Sequence, residues 1–259
     1  MEQMTLGAQL YTLRDYTQNE RDLDYCLGRV AEMGYETVQL SCVGPIDPHR
    51  IRELCDAHGL KIVLTHADPN RILHDTEAVI RENDIYGCDF IGLGGMPPRY
   101  CTEEWIDRFA VDYKLPAQKI AAAGKRFVYH NHAFDFRKIR DGRRQIEILL
   151  DAFAPEELGL TLDTYWVQMA GCDVLQWIDR LEGRIPCVHL KDVTMKPRIY
   201  DNIPMMMPVG EGNMNFPAIL ERLRRSPDTR HLLVEQDVCM ENAFRCLETS
   251  YKNIRKMGF

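Results

Sequence analysis

Short apolar runs alternate with amphipathic stretches along the whole chain, and eight such runs can be counted. Each run is rich in Val, Ile, Leu or aromatic residues and is apolar at nearly every position. Runs of this kind are typical of strands that are buried on both faces of a parallel sheet. The eight predicted strands are LGAQLYTL from Leu6, YETVQL from Tyr35, LKIVLTH from Leu60, CDFIGLG from Cys88, KRFVYHNH from Lys125, LGLTLD from Leu158, IPCVHLK from Ile185 and HLLVEQD from His231.

The stretches between these runs repeat their apolar residues at helical spacing, as Leu23, Cys26, Leu27 and Val30 do. Helices are predicted over residues 22–33, 48–58, 75–86, 102–123, 144–153, 173–181, 216–225 and 241–256. Eight consecutive strand–helix units predict an α/β fold of the closed (β/α)8 barrel type. The length of 259 residues matches one barrel of about 250, so residues 1–259 form a single predicted domain. A doubly wound nucleotide-binding sheet is disfavoured, because no G-x-G-x-x-G follows the first strand.

Composition narrows the function classes. The chain carries 32 basic and 39 acidic residues, a net charge of −7, and no basic run, which argues against a nucleic-acid partner. No apolar run approaches the ~18 residues of a membrane span, and the N-terminus lacks a signal-peptide pattern. Nine cysteines without a C-x-x-C pair indicate reduced thiols. We therefore expect a cytoplasmic protein with no nucleic-acid or membrane partner; a homo-oligomer is left open.

Polar residues cluster where the later strands end, which is the end of a barrel that carries function. Alternation along the strands turns Leu162 and Val188 toward the helices, so their neighbours Asp163 and His189 face the lumen. The same phase turns His130 and Glu235 inward. One such residue alone is more often a hydrogen-bonded structural group, but four sharing an apolar funnel need neutralisation. We predict one divalent metal held by His130, Asp163, His189 and Glu235; nitrogen and oxygen ligands suit Mn²⁺, Co²⁺, Zn²⁺ or Fe²⁺ better than Ca²⁺.

Six motifs carry a family resemblance: GAQLYTLRD, YHNHAFDF, LGLTLDTYW, CVHLKD, PVGEGNMNFPAIL and LLVEQD. With them the chain resembles the xylose isomerase-like TIM barrels, which include sugar phosphate isomerases and epimerases, ketose 3-epimerases, inosose dehydratase and, more distantly, endonuclease IV. The resemblance implies an enzyme acting on a small carbohydrate with one metal ion, Mn²⁺ first and Mg²⁺ also among the choices. The family's ligands carry over to Asp163, His189 and Glu235.

Three positions depart from the family pattern. Strand 5 reads His130-Asn131-His132 where many epimerases read E-N-H, Trp166 stands where relatives often have His, and Gln39 stands where many have Glu. The chemistry implied by the resemblance is abstraction of a proton next to a carbonyl through an enediolate. Glu235 is the expected base and His132 the second acid–base group, with a pKa near neutrality.

The same first step serves an isomerase or epimerase and a carbohydrate lyase or dehydratase. We expect the isomerase or epimerase, acting on a sugar or sugar phosphate, with the lyase as the alternative because H-N-H resembles the H-H-H of inosose dehydratase. A nuclease is disfavoured for two reasons. It would need a multi-metal cluster, and the net negative charge of the chain opposes binding to a nucleic-acid backbone. Lys191 completes the predicted catalytic set, against a solvated rim lysine as the alternative. The predicted substrate-binding residues are Gln9, Tyr11, His66, Trp166 and Glu211, although Tyr11 and Trp166 could instead serve core packing.

The segment 194–215 is much longer than the about 2–6 residues of an ordinary strand-to-helix loop. It follows a predicted ligand strand directly and is rich in Pro, Gly and Met. Long loops at this end of a barrel often cover substrate. We therefore predict an active-site lid with Glu211 at the substrate, the alternative being a contact between subunits.

Overall fold

All eight predicted strands form, and together they close a parallel barrel. The computed structural model describes residues 4–198 and 202–259. The barrel strands are β1 (Thr5–Gln9), β2 (Thr37–Leu40), β3 (Lys61–His66), β4 (Phe90–Leu93), β5 (Arg126–His130), β6 (Leu158–Asp163), β7 (Cys187–Leu190) and β10 (His231–Val234). Neighbours in this order pair in parallel, and β10 pairs with both β7 and β1 to close the ring. The predicted single (β/α)8 TIM barrel is confirmed.

Helices surround the barrel: α1 (Glu20–Met33), α2 (Pro48–Ala57), α3 (Pro69–His74), α4 (Thr76–Tyr86), α5 (Ile106–Ala122), α6 (Gln145–Asp151), α7 (Thr164–Met169), α8 (Val174–Arg180), α9 (Phe216–Arg224) and α10 (Ala243–Lys256). Eight of them match the predicted helices within a few residues. The other two, α3 and α7, are six residues long and too short to show a periodic pattern. No helix in the described part of the chain is long and apolar enough to cross a membrane.

Alternation along the strands separates two apolar layers. Leu162, Val188 and Leu232 belong to the large core between strands and helices. A small cluster of Val63, Leu64, Phe90, Val128, Cys187 and Leu233 fills the barrel lumen. Along these strands the apolar residues alternate between the helix side and the lumen as predicted, so the polar residues at the strand ends keep their predicted sides.

The segment predicted as a long loop contains a β-hairpin instead. Strands β8 (Asp192–Pro197) and β9 (Asn202–Met207) pair antiparallel from Asp192↔Met207 to Pro197↔Asn202. The buried carboxylate of Asp192 accepts hydrogen bonds from the backbone N–H groups of Val193, Gly210, Gly212 and Met214. A Cβ on Gly212 would lie 2.3 Å from Asp192 Oδ1, so this closure requires glycine. One side chain thus fixes both ends of the hairpin.

Candidate active site

The four predicted metal ligands come together in the lumen at the C-terminal end of the barrel. One donor atom from each of His130, Asp163, His189 and Glu235 lies within 4.8 Å of the other three. All four residues are buried, with at most 4% of their surface exposed. The register explains the convergence, since Asp163 pairs with His189 across β6 and β7.

The two imidazoles are oriented by hydrogen bonds on the sides that face away from this cluster. His130 Nδ1 lies 3.0 Å from the carbonyl oxygen of Gly94, which can only accept, so the proton of this ring is on Nδ1. His189 Nε2 lies 2.6 Å from Gln39 Oε1. In these tautomers the free lone pairs are on His130 Nε2 and His189 Nδ1, which lie 3.2 Å apart. Two facing lone pairs repel each other unless a cation lies between them or one nitrogen is protonated.

Carboxylate oxygens complete the cluster. Asp163 Oδ2 is 3.1 Å from His130 Nε2, and Glu235 Oε2 is 2.8 Å from His189 Nδ1. Burial opposes the ionised form of Asp163, yet the charge of Lys191 outweighs it and holds the pKa of Asp163 well below the usual range. Burial also opposes the ionised form of Glu235, and Lys191 likewise holds its pKa well below the usual range. Two ionised carboxylates and two inward lone pairs fit a divalent cation with mixed nitrogen and oxygen ligands.

Lys191 is a buried member of this cluster and not a solvated rim lysine. Only 1% of its surface is exposed. Its Nζ lies 3.1 Å from Asp163 Oδ2, 2.9 Å from Glu235 Oε2 and 2.9 Å from Asp237 Oδ1. Although burial disfavours the ammonium, these three carboxylates raise the pKa of Lys191 above its usual value. The charged lysine therefore neutralises carboxylates at the place where the predicted metal would bind.

A cavity of about 480 Å³ opens over the cluster. Its wall includes the predicted residues Tyr11, His66, His132, Lys191 and Glu235. Burial, followed by the neighbouring His130, lowers the pKa of His132 to about 3 and that of His66 well below its usual value. Both rings are therefore neutral at neutral pH. The near-neutral pKa that was expected for His132 is wrong for this environment, because burial disfavours the imidazolium.

Several hydrogen-bonding groups near this cavity have no partner among the described residues. They include Gln9 Nε2, Gln39 Nε2, His66 Nε2, His132 Nδ1 and Trp166 Nε1. The Trp166 ring centre lies 5.2 Å from that of His132 and 5.8 Å from Lys191 Nζ, which places Trp166 beside the catalytic candidates. A substrate with many oxygens would satisfy these donors.

Glu211 does not belong to this group. It is exposed, and its Oε1 accepts a hydrogen bond from Asn253 Nδ2 of α10 at 2.9 Å. It lines a separate groove between the hairpin and the start of α10, together with Met205 and Met240. No described hairpin residue lines the cavity over the four predicted metal ligands. The lid role of 194–215 therefore stays a prediction.

Two supporting residues lie in strand-end motifs but were not assigned a role from sequence. Asn131 Oδ1 accepts a hydrogen bond from the backbone N–H of Asp163 at 3.0 Å. The buried carboxylate of Asp135 accepts from the backbone N–H of His132 at 2.7 Å and from the Tyr129 hydroxyl at 2.8 Å. Burial raises the pKa of Asp135 to about 7. Both residues sit in the YHNHAFDF motif, and they hold the backbone of a ligand and of the candidate base.

Comparison with known proteins identifies the family. The model of the xylose isomerase-like TIM barrel family matches residues 27–243. The chain belongs to this family. The family is named for an isomerase and a sequence relative is a dehydratase, so the chain is an enzyme of the xylose isomerase-like type.

Individual relatives of the xylose isomerase-like family are distant. The inosose dehydratase of Lacticaseibacillus casei is 25% identical over 246 residues, which cover 82% of this chain and 81% of the relative. A sugar phosphate isomerase/epimerase from Parabacteroides distasonis superposes with a TM-score of 0.79 at 21% identity, covering 98% of this chain and 94% of the other. An L-ribulose 3-epimerase superposes with a TM-score of 0.74 at 15% identity, covering 98% and 94%. The two structural likenesses show the shared fold alone.

Proposed function

We propose that the protein removes a proton next to the carbonyl of a small uncharged carbohydrate and expels a neighbouring hydroxyl as water. The observation that carries this proposal is the distribution of acid–base groups around the cavity. The carboxylates in its wall, Glu235 and Asp237, come from the segment after β10. The ends of β3 and β5 and the segment after β5 contribute imidazoles, with no described carboxylate on the cavity wall. An epimerase that uses two opposed carboxylates does not fit this arrangement.

His132 is the proton acceptor in this proposal. Its ring is neutral, lines the cavity and lies 4.7 Å from the His130 ring, centre to centre. The neutral imidazole takes the proton from carbon as negative charge develops on the substrate, because that charge stabilises the imidazolium and raises its pKa. The imidazolium then gives the proton to the departing hydroxyl. A C–H and a C–O bond break, a C=C bond forms, and the proton leaves in the water. One histidine therefore suffices, which reverses the expectation that Glu235 is the base.

Lys191 stabilises the negative charge that develops on the substrate oxygen, and a bound divalent ion would add to this stabilisation. A divalent ion held by His130, Asp163, His189 and Glu235 would polarise the substrate carbonyl when bound; we propose Mn²⁺ first. Lys191 stays protonated, since three carboxylates contact it, and its charge lies beside the same region. Gln39 and Gly94 fix the ring orientations so that His189 Nδ1 and His130 Nε2 would be available as ligands.

The substrate is uncharged in this proposal. Apart from histidines, Lys191 is the one basic side chain among the described lining residues, and carboxylates already compensate its charge. A phosphate dianion would find no free cation there. The unpartnered donors of Gln9, Gln39 and Trp166 suit hydroxyl and carbonyl oxygens instead. A neutral keto-polyol fits these groups, and the relative named inosose dehydratase supports this class.

Isomerisation or epimerisation is the second candidate, and the position of Glu235 favours it. Its ionised carboxylate follows β10, whereas His132 follows β5, three strands away around the barrel. A proton removed by one group and returned by the other from the opposite face would give an epimer. Relatives that carry the names isomerase and epimerase belong to the same fold.

Incubation in D₂O separates the two reactions. The metal-loaded protein is mixed with inososes, neutral ketoses, 3-keto-sugars and one ketose phosphate, and the products are analysed by NMR, mass spectrometry and near-UV absorbance. We expect a product lighter by one water with a new near-UV band, formed from a neutral keto-polyol. A product of unchanged formula that carries solvent deuterium would overturn the dehydratase in favour of the second candidate. Turnover of the phosphate ester alone would overturn the uncharged substrate.

A further inference from the structure

A second cavity opens at the opposite end of the barrel, where the strands begin. Its volume is about 580 Å³, larger than the 480 Å³ of the cavity over the metal cluster. Thr5, Lys61 and His231, the first residues of β1, β3 and β10, line it. Val63 and Phe90 line it as well and belong to the apolar cluster in the lumen. This apolar cluster lies between the two cavities, so each end of the barrel has a cavity of its own.

The charge of this second cavity is opposite to that of the protein. Arg52, Lys61 and Arg230 line it against one acidic residue, Asp89, although the whole chain carries a net charge of −7. Arg52 is engaged, since its Nε lies 2.8 Å from both carboxylate oxygens of Asp56. Among the ion pairs of residues 4–198 and 202–259, none involves Lys61 or Arg230. Two cations without a direct ion pair thus lie at one opening, where Asp89 is the one carboxylate in the lining.

Neutral hydrogen-bonding groups lie beside these cations. His231 Nδ1 is 2.8 Å from Thr5 Oγ1, and Thr5 Oγ1 is 3.5 Å from Thr37 Oγ1. Burial, followed by the charge of Arg230, lowers the pKa of His231 to about 4, so its ring is neutral at neutral pH. A neutral imidazole carries one N–H, and each hydroxyl carries one O–H. The cavity therefore combines two free positive charges with several donors, which are the groups that bind phosphate oxygens.

We propose that this second cavity binds a small phosphate-bearing anion through Lys61 and Arg230, with the hydrogen-bonded Thr5–His231 pair supplying one further neutral donor. The site is separate from the reaction proposed above and does not depend on it. The two ends of the barrel then select ligands of different charge. The cavity over the metal cluster has its one ammonium compensated by carboxylates, whereas the second cavity keeps its cations free.

Isothermal titration calorimetry with inorganic phosphate tests the site. Wild-type protein should show one saturable site whose affinity is the same with and without metal. Lys61→Ala combined with Arg230→Ala should weaken binding at least tenfold. Lys196→Ala combined with Arg245→Ala removes the same charge at the separate groove beside the hairpin, and it should change the affinity less than twofold. Lys61 and Arg230 are exposed, so neither substitution disturbs the core.

A second arm distinguishes a phosphate ester from the free anion. Glucose 6-phosphate should compete with inorganic phosphate, and glucose should not. Thr5→Val keeps both cations and should weaken phosphate binding by severalfold, which separates a built site from general attraction to positive charge. The proposal is overturned if wild-type protein shows no saturable binding, if both double variants lose affinity equally, or if binding appears only with metal and disappears in Asp163→Ala.

Discussion

Both ends of the barrel carry charged side chains, but those side chains differ in burial and in whether an opposite charge contacts them. At the C-terminal end, Asp163, His189 and Lys191 are fully buried and each contacts an opposite or complementary charge. At the N-terminal end, Lys61 and Arg230 are exposed and unpaired in the described chain, and His231 is kept neutral by burial. Ionised groups that are removed from water need an opposite charge inside the protein, whereas exposed groups at an open rim are solvated and can bind a ligand. Burial, more than residue type, therefore distinguishes the candidate active site from the opposite end of the barrel.

Removal of Asp163 should give the largest effect, since its carboxylate contacts both His130 and Lys191. Asp163→Ala should lose the bound metal and lower turnover by at least about 10³-fold, because several kcal/mol of transition-state stabilisation depend on the ion. Elemental analysis and steady-state rates measure this, and circular dichroism checks the fold. Lys61→Ala with Arg230→Ala, at the other end, should keep the metal. Wild-type metal content in Asp163→Ala would contradict the proposed ligand set.

Substitution of His132 should separate metal binding from proton transfer. His132→Gln should retain the metal but lose about 10²–10⁴ in kcat, which is the usual contribution of one acid–base group. His130→Ala should lose the metal as well, because its Nε2 faces the cluster. Metal content and kcat are measured for both variants. A metal-replete His132→Gln enzyme with the wild-type rate would show that another residue accepts the proton.

Gln39 should matter less, since it acts on a ligand and not on the ion. Gln39→Leu removes the acceptor 2.6 Å from His189 Nε2 and should lower metal affinity about 10–100-fold. Gln39→Glu keeps an acceptor and should retain most of the affinity. Competition with a chelator gives the Kd values. Equal affinity of the Leu variant and the wild type would show that the ring needs no such orientation.

The smallest effect is expected at the N-terminal end, in the pH dependence of stability. The pKa of His231 is about 4 in the folded protein, below its value of about 6.5 in an unfolded chain. As pH falls from 6.5 to 4, His231 is protonated in the unfolded chain but stays neutral in the folded protein. The free energy of unfolding therefore decreases over this pH range. His231→Gln should remove about 1–2 kcal/mol of that loss, after allowance for partial exposure.

Urea denaturation between pH 4 and 7 measures this difference for wild type and variant. His49→Gln, at an exposed position on α2, serves as the control and should leave the slope unchanged. An identical slope for wild type and His231→Gln would mean that the ring is protonated in the folded protein. A charged His231 would then add to the positive charge of the second cavity.

The barrel and the convergence of four polar residues in its lumen could be predicted from the sequence, because both follow from alternation. Buried parallel strands read as apolar runs, and one phase along β5, β6, β7 and β10 turns His130, Asp163, His189 and Glu235 inward. The orientation of the imidazoles could not be predicted, since one partner is the backbone oxygen of Gly94, which leaves no trace in residue type. The alternation of side-chain direction applies within a strand and does not extend into the segment that connects a strand to a helix. Glu211 was therefore placed at the substrate, although it contacts Asn253.

Environment accounts for the remaining differences. The pKa of His132 depends on how much water its ring can reach, and no spacing rule reports that. The burial of Lys191 follows from three carboxylates that come from β6 and from the segment after β10, distant in sequence. The hairpin escaped prediction because its prolines and the run Met205–Met207 resemble an irregular loop more than alternating strands.

The Asp192 carboxylate connects the two ends of the hairpin. One carboxylate binds the backbone at Val193, where the hairpin leaves the barrel, and at Gly210, Gly212 and Met214, where the chain returns. We therefore expect that the chain between these points can be lengthened, shortened or exchanged without moving Lys191, which precedes Asp192. A graft at this position would change the surface at the rim of the barrel and leave the residues at the strand ends in place.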